Sequence, residues 1–368
     1  MFEEYRLRNY NFKLLFLVLT SIVLGTLSIN SADSSYLKKQ IAGAVVCVIG
    51  LIALSLISYK FISKFYLVLY IVNIIMLIAV KTSGIVVNNA RRWLGVKDVL
   101  MIQPSEFSKI IMIICAACFL ADHKDSINTL KTLAEYALLC AIPLLLIVSQ
   151  PDLSTTVDIF VILFAMLFIA GLSYKLILIG ALCLIPLAGS FLWYIKQPDP
   201  MFLEEYQRTR ILSHLYPEDY GETMTQQNNS VMAIGSGQLT GKGLNNSTIT
   251  TVKDANLISE QQTDFIFSVV GEELGFVGSS ILVVILGLIV LQCIRVARKA
   301  NDDKGTFVAT GVATLIGFQT FINIGVATSL LPNTGIPLPF ISYGLSSLVT
   351  CCAGIGMVIN ISLQRRKY

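Results

Sequence analysis

The feature that most constrains this chain is a succession of apolar runs, each about as long as a membrane is thick. A bilayer core of about 30 Å takes about 20 helical residues to cross. By that measure, spans are expected at 14–32, 40–58, 61–80, 106–121, 133–149, 153–171, 175–194, 272–294, 306–330 and 340–361. Peptide groups inside a bilayer must be satisfied internally, so only helices or closed barrels cross it. These runs lack the period-two alternation of barrel strands. Composition agrees: 55% of residues are hydrophobic and 14% charged, against about 25% charged in an ordinary soluble domain. The mean hydropathy is +0.72. The expected fold class is an all-α polytopic membrane protein of about ten transmembrane helices. Residues 1–368 form a single membrane domain, with a large extracytoplasmic loop at 195–263. No cleavable signal peptide is expected, because the first apolar run is followed by many more. The formal charge of +4 does not point to nucleic acid.

An even number of spans puts both termini on one side. If that side is cytoplasmic, its short loops and ends hold most of the basic residues, among them Lys60, Lys64, Arg295, Arg298, Arg365 and Arg366. That is the positive-inside arrangement. The outer segment at 81–105 breaks the trend, with Lys81, Arg91, Arg92 and Lys97 against the single acid Asp98. The loop at 195–263 is longer than a bundle needs, and its glycines are dispersed, so ordered structure is expected there. All eight cysteines fall in or at the end of apolar stretches and read as small hydrophobes. Cys115 and Cys118 have a CxxC spacing, but mid-helix and with His123 and His214 as the only histidines; a zinc or redox site is not expected.

Several polar residues sit where chemistry is possible. Pro104 is placed to start a helix, and Glu106 in its first turn suits the helix dipole. Lys109, three residues on, can pair with Glu106, either as a local pair that snorkels or as a charged cluster facing a shared cavity. Asp152 reads as a helix N-cap, and Asp158, deeper in the same run, should face the bundle interior. Asp264 stands where the long loop meets an apolar helix. It is either an N-cap or a partly desolvated carboxylate able to take a proton from a sugar hydroxyl. Glu272 and Glu273 are undecided between the same cavity and the interface. Arg91, Arg92, Arg208 and Arg210 lie on the two unusual outer segments and suit phosphate, from a substrate or from lipid headgroups. The stretch Gly237–Gly243 imitates a P-loop but lacks its spacing and the following Ser/Thr, and it lies on the wrong side for ATP.

Taken in order, the motifs resemble the SEDS family (shape, elongation, division and sporulation; RodA, FtsW and SpoVE). The matching pieces are Ala90-Arg91-Arg92-Trp93, Gln103-Pro104-Ser105-Glu106 with Lys109, and Gln150-Pro151-Asp152-Leu153. Tyr206-Gln207-Arg208 and Ala233-Ile234-Gly235-Ser236-Gly237 with Gly241-Lys242-Gly243 follow. Then come Thr263-Asp264-Phe265-Ile266-Phe267, Gly271-Glu272-Glu273-Leu274-Gly275, Asn323-Ile324-Gly325 and Pro337–Gly344. The compact ends and the stretch from Asn323 to Pro339 look more like the RodA branch, while Gly271 looks more like FtsW. Asn89, Ser154, Asn229, Ser329 and Leu345 depart from the usual pattern, Asn229 standing for a common glutamine and the others where glycine is frequent.

The resemblance implies a ten-span peptidoglycan glycosyltransferase of the bacterial cytoplasmic membrane that polymerises lipid II at its outer face. It implies Asp264 as the catalytic acid residue, with Trp93, Glu106 and Lys109 around the same cavity. It also implies a class B penicillin-binding protein as transpeptidase partner, alongside lipid II, the nascent glycan strand and membrane lipids. In the expected reaction Asp264 acts as general base on the acceptor sugar's 4-hydroxyl, and the polyprenyl pyrophosphate leaves with inversion. Arg91, Arg92, Lys109 or Arg210 would stabilise the leaving charge, and a divalent cation, Mg or Mn, could share that task although the sequence holds no closed metal-ligand set. Two rivals stay open: a transporter that flips lipid II, and a non-catalytic scaffold for the transpeptidase.

Overall fold

A computed structural model describes residues 9–87, 90–96, 100–197, 205–216, 221–245 and 258–364. Every expected span is met by a helix. These are α1 (Phe12–Ala32), α2 (Leu37–Leu56), α4 (Tyr66–Ser83), α5 (Pro104–Asp122), α6 (Leu130–Val148), α7 (Leu153–Ile169), α8 (Tyr174–Ile195), α11 (Ile266–Arg298), α12 (Asp303–Ala327) and α13 (Leu345–Leu363). The short α3 (Tyr59–Ser63) takes up the start of the third expected span. Among the described residues eight helices are long and apolar enough to cross a bilayer; a count of ten needs α7, at 17 residues, and α8 as well. The protein is thus an α-helical, multi-pass membrane protein.

The helices are not equivalent. In α5 and α13, 83% of the apolar stretch is buried, against 17% in α4. These two form the axis of the bundle, and α4 faces lipid. Gly25 of α1 allows a close approach to the turn before α13: a Cβ there would lie 2.6 Å from Ile341 Cα. Leu345 packs directly against Gly43 of α2. Ser329 adopts a left-handed conformation (φ 58°) just after α12, the backbone state that makes glycine common at such a position.

Two outer segments carry structure beyond simple connections. Residues of the 81–105 segment form a small antiparallel sheet of β1 (Ile85–Val87), β2 (Ala90–Val96) and β3 (Leu100–Ile102), with Ile85 opposite Trp93 and Leu94 opposite Ile102. Within 195–263 lie α9 (Glu205–Leu215) and α10 (Gly221–Ser236). Helix α10 docks on the end of α12, where Gln227 donates to the carbonyls of Val326 and Leu331 (3.1 and 2.8 Å) and Ser230 to that of Ala327 (2.7 Å).

The eighth expected span, 272–294, begins earlier and is broken. Helix α11 starts at Ile266, and Gly275 interrupts it with φ 64° and ψ −165°, a conformation open to glycine and strained for other residues. The break frees backbone groups that must find partners. The turn after α10 supplies them: Phe276 N donates to Gln238 O (2.8 Å), while Lys242 N and Gly243 N donate to the carbonyls of Glu272 and Glu273 (3.0 and 2.9 Å). The apparent P-loop is therefore a plug for a helix break. Glu272 takes an ion pair from Lys242 at 2.7 Å, and Glu273 accepts from Ser31 of α1.

Candidate active site

Two polar clusters hang from α7, and both are assembled by α5. At its outer end, Asp152 caps α7 by accepting from Thr155 N (3.2 Å). Its second oxygen accepts from Gln103 Nε2 and Ser105 Oγ, both at 3.2 Å. Arg92 reaches in from β2, donating to the carbonyls of Gln150 and Pro151 and standing 4.0 Å from Asp152. This guanidinium ties the sheet to the α6–α7 hairpin. Pro104 sits in the first turn of α5, as its fixed φ favours.

Deeper in the bundle, Lys109 pairs with Glu106 at 2.7 Å and with Asp158 at 3.0 Å. Their side chains are 1%, 6% and 0% exposed, so the pair does not snorkel to the interface. It is an internal cluster of one cation and two acids. Asp158 has its role here, closing the cluster and accepting from Gln319 Nε2 of α12 at 2.7 Å. Thr350 of α13 donates to Glu106 O (3.1 Å), which fastens the cluster to the bundle axis.

Asp264 lies one α12 turn above Gln319. It does not hold the capping position of α11, which belongs to Phe265, without a side-chain cap. Asp264 is partly buried, and its carbonyl accepts from Asn323 Nδ2 at 2.9 Å. Asn323 and Gln319 are four residues apart, on one face of α12. Through that face the Asp264 turn stands above the Lys109 cluster. Sequence reasoning had no role for Gln319, whose part depends on the packing of α7 against α12.

The remaining candidates scatter. Arg91 is exposed on β2, and Trp93 is partly buried beside it. Arg208 of α9 donates to Ile195 O at the end of α8 (2.9 Å), so it braces the outer loop. The side chain of Arg210 lies outside the described residues. Among the described residues no group of three or more His, Cys, Asp or Glu could hold a metal ion. The described residues thus offer no clustered carboxylate, His or Cys set for the divalent cation, Mg or Mn, expected from the sequence. On the lipid side, an apolar cleft of about 560 Å³ runs between α7, α11 and α12, from Arg298 to Phe321. Phe321, at the outer end of the cleft, is exposed, whereas Asn323, two residues on, is buried on a different face of α12.

Known proteins bear on this arrangement. The chain is 32% identical over 361 residues to the peptidoglycan glycosyltransferase MrdB of Escherichia coli (strain K12), covering 96% of this chain and 93% of that one. It superposes on a chain from a peptidoglycan synthase complex that coordinates polymerization and crosslinking, with TM-score 0.80, 28% identity, and 96% and 97% of the two chains covered. The rod shape determining protein RodA of Thermus thermophilus matches with TM-score 0.70 and 26% identity, over 98% of each chain. The model of the cell cycle protein family FtsW/RodA/SpoVE matches residues 7–367, and this chain belongs to that family.

Proposed function

We propose that this chain is a peptidoglycan glycosyltransferase that polymerises lipid II at the outer face of the cytoplasmic membrane, with Asp264 as its general base. The observation that carries the assignment is the placement of Asp264. It is partly buried on a clamped turn where the long outer loop enters α11, above a buried charged cluster. A carboxylate so placed is partly removed from water yet open to substrate, as a base near a sugar hydroxyl must be.

In the proposed step Asp264 takes the proton of the acceptor's 4-hydroxyl. The oxygen forms a bond to the donor's anomeric carbon, and the bond from that carbon to the pyrophosphate oxygen breaks with inversion. The pair of electrons leaves on the polyprenyl pyrophosphate. Arg91, exposed on β2, and Arg210 are the arginines suited to meet that charge. Arg92 and Lys109 act one step back: the first holds the α6–α7 hairpin, the second holds α5 to α7. The apolar cleft suits the polyprenyl chain, whose length explains why a sugar polymerase is built from membrane helices.

Both termini are assigned to the cytoplasm from the basic short loops. Partnership with a class B penicillin-binding protein is supported by the likeness to a chain of a synthase complex that couples polymerization to crosslinking. The test is purified protein in liposomes with labelled lipid II. Glycan strands that vanish in Asp264→Asn support the assignment. Lipid II flipping by that variant, with strands from neither protein, favours the transporter. Partner binding with neither activity favours the scaffold.

A further inference from the structure

Three consecutive carbonyls of the turn carrying Asp264 are each held from outside it. Tyr343 N donates to Gln262 O (2.8 Å), Ser342 Oγ to Thr263 O (2.6 Å) and Asn323 Nδ2 to Asp264 O (2.9 Å). The Thr263 carbonyl belongs to the peptide plane before the Asp264 Cα, and the Asp264 carbonyl to the plane after it. Peptide groups are rigid, so fixing the plane on each side fixes φ and ψ between them. The direction of the Asp264 Cα–Cβ bond, from which the carboxylate hangs, follows.

We infer that Asn323 is a positioning residue that sets the aim of the Asp264 carboxylate, with Ser342 as the second half of the same clamp. The inference rests on Asp264 being the base. Asn323 is 1% exposed, and its single nitrogen donates twice, to Asp264 O at 2.9 Å and to Ile336 O at 2.8 Å. Two carbonyl acceptors also settle which end of the amide faces them. Its oxygen is buried without a hydrogen-bond partner, a cost of about 1–3 kcal/mol that an apolar residue would avoid. The two N–H groups are what the position requires. Ser342 is similarly doubled, accepting from Leu338 N (2.8 Å) while donating to Thr263 O. The support behind the clamp is stiff, since Gly25 of α1 lets the Phe340–Ile341 backbone seat directly on that helix.

Asn323→Asp keeps the shape of the side chain and removes both donors, setting a carboxylate against two carbonyl oxygens. In full-length protein reconstituted with lipid II, Asn323→Asp and Ser342→Ala should each lower kcat by roughly 10- to 100-fold, as small misplacements of a reacting group do. KM should stay within about twofold, and the double variant should lose less than the product of the two losses, because both act on one group. Ser342→Thr, which keeps the hydroxyl, should restore kcat. A loss confined to KM would overturn the inference, because a substrate contact rather than aim would be at stake. If Asn323→Asp fails to fold, Ser342→Ala against Ser342→Thr decides, and equal activity of the two sinks the clamp. Asp264→Asn separates the layers: an inactive Asp264→Asn beside a fully active Asn323→Asp refutes the positioning role alone, while an active Asp264→Asn removes the base itself.

Discussion

The acids on the two levels of α12 are built on opposite terms. Asp158 is fully buried and committed, with Lys109 at 3.0 Å and Gln319 at 2.7 Å. Asp264 is only partly buried, and its main chain is held on both sides by Ser342 and Asn323. A carboxylate engaged by a cation in a bilayer interior has spent its charge on holding helices together. One whose backbone is fixed at the entry to α11, only partly buried, is placed where a substrate can reach it. The contrast separates a residue that makes the fold from one that uses it, and it can be broken by experiment.

The largest effect belongs to Lys109→Met. Glu106 and Asp158 would then face each other buried and uncompensated, which costs about 3–5 kcal/mol. Unfolding in detergent, followed by fluorescence, should move down sharply and polymerisation should go with it. Next is Asp264→Asn, for which polymerisation should fall by roughly 10²–10⁴-fold while stability moves by no more than about 0.5 kcal/mol. Comparable destabilisation by both variants would dissolve the distinction between the two levels. Asp158→Asn sharpens it from the other side. It leaves Lys109 paired with Glu106 and should cost about 1.5–3 kcal/mol, the worth of hydrogen bonds to a charged group, with activity lost in proportion to folded protein.

Smaller effects test the cleft and the surface. Gly317 lines the cleft with only ordinary contact to Val290 beyond it. Gly317→Leu should displace about two methylenes of a bound chain, about 1.6 kcal/mol or roughly tenfold in KM for lipid II, at nearly constant kcat. An unchanged KM would remove the tail from this cleft. At the bottom of the scale, Lys131 and Glu135 stand 4.0 Å apart with Lys131 86% exposed. Lys131→Ala should shift stability by less than about 0.5 kcal/mol, read from the same unfolding curves.

Much of this architecture is legible in the chain itself. Apolar run length located the helices, Pro104 marked the start of α5, and Asp152 caps α7 as its place before an apolar run suggested. The Glu106–Lys109 pair follows from three-residue helical spacing. The sheet at 85–102 was not expected, because its strands are short and the segment stood out only by its basic charge. The break at Gly275 was hidden inside an apolar run, where a glycine is no signal until its partner turn is known.

The sequence by itself determined a helical membrane bundle and offered Asp264 among several polar residues at its outer edge, because run length, caps and neighbouring pairs are local properties of the chain. Only the tertiary structure decided that Lys109 is shared with Asp158, that Arg92 and Arg208 brace backbone, and that Asn323 holds the Asp264 turn. Those contacts join helices far apart in the chain, 161 residues in the case of Gln319 and Asp158. Which polar groups meet across a bilayer is set by how helix faces pack.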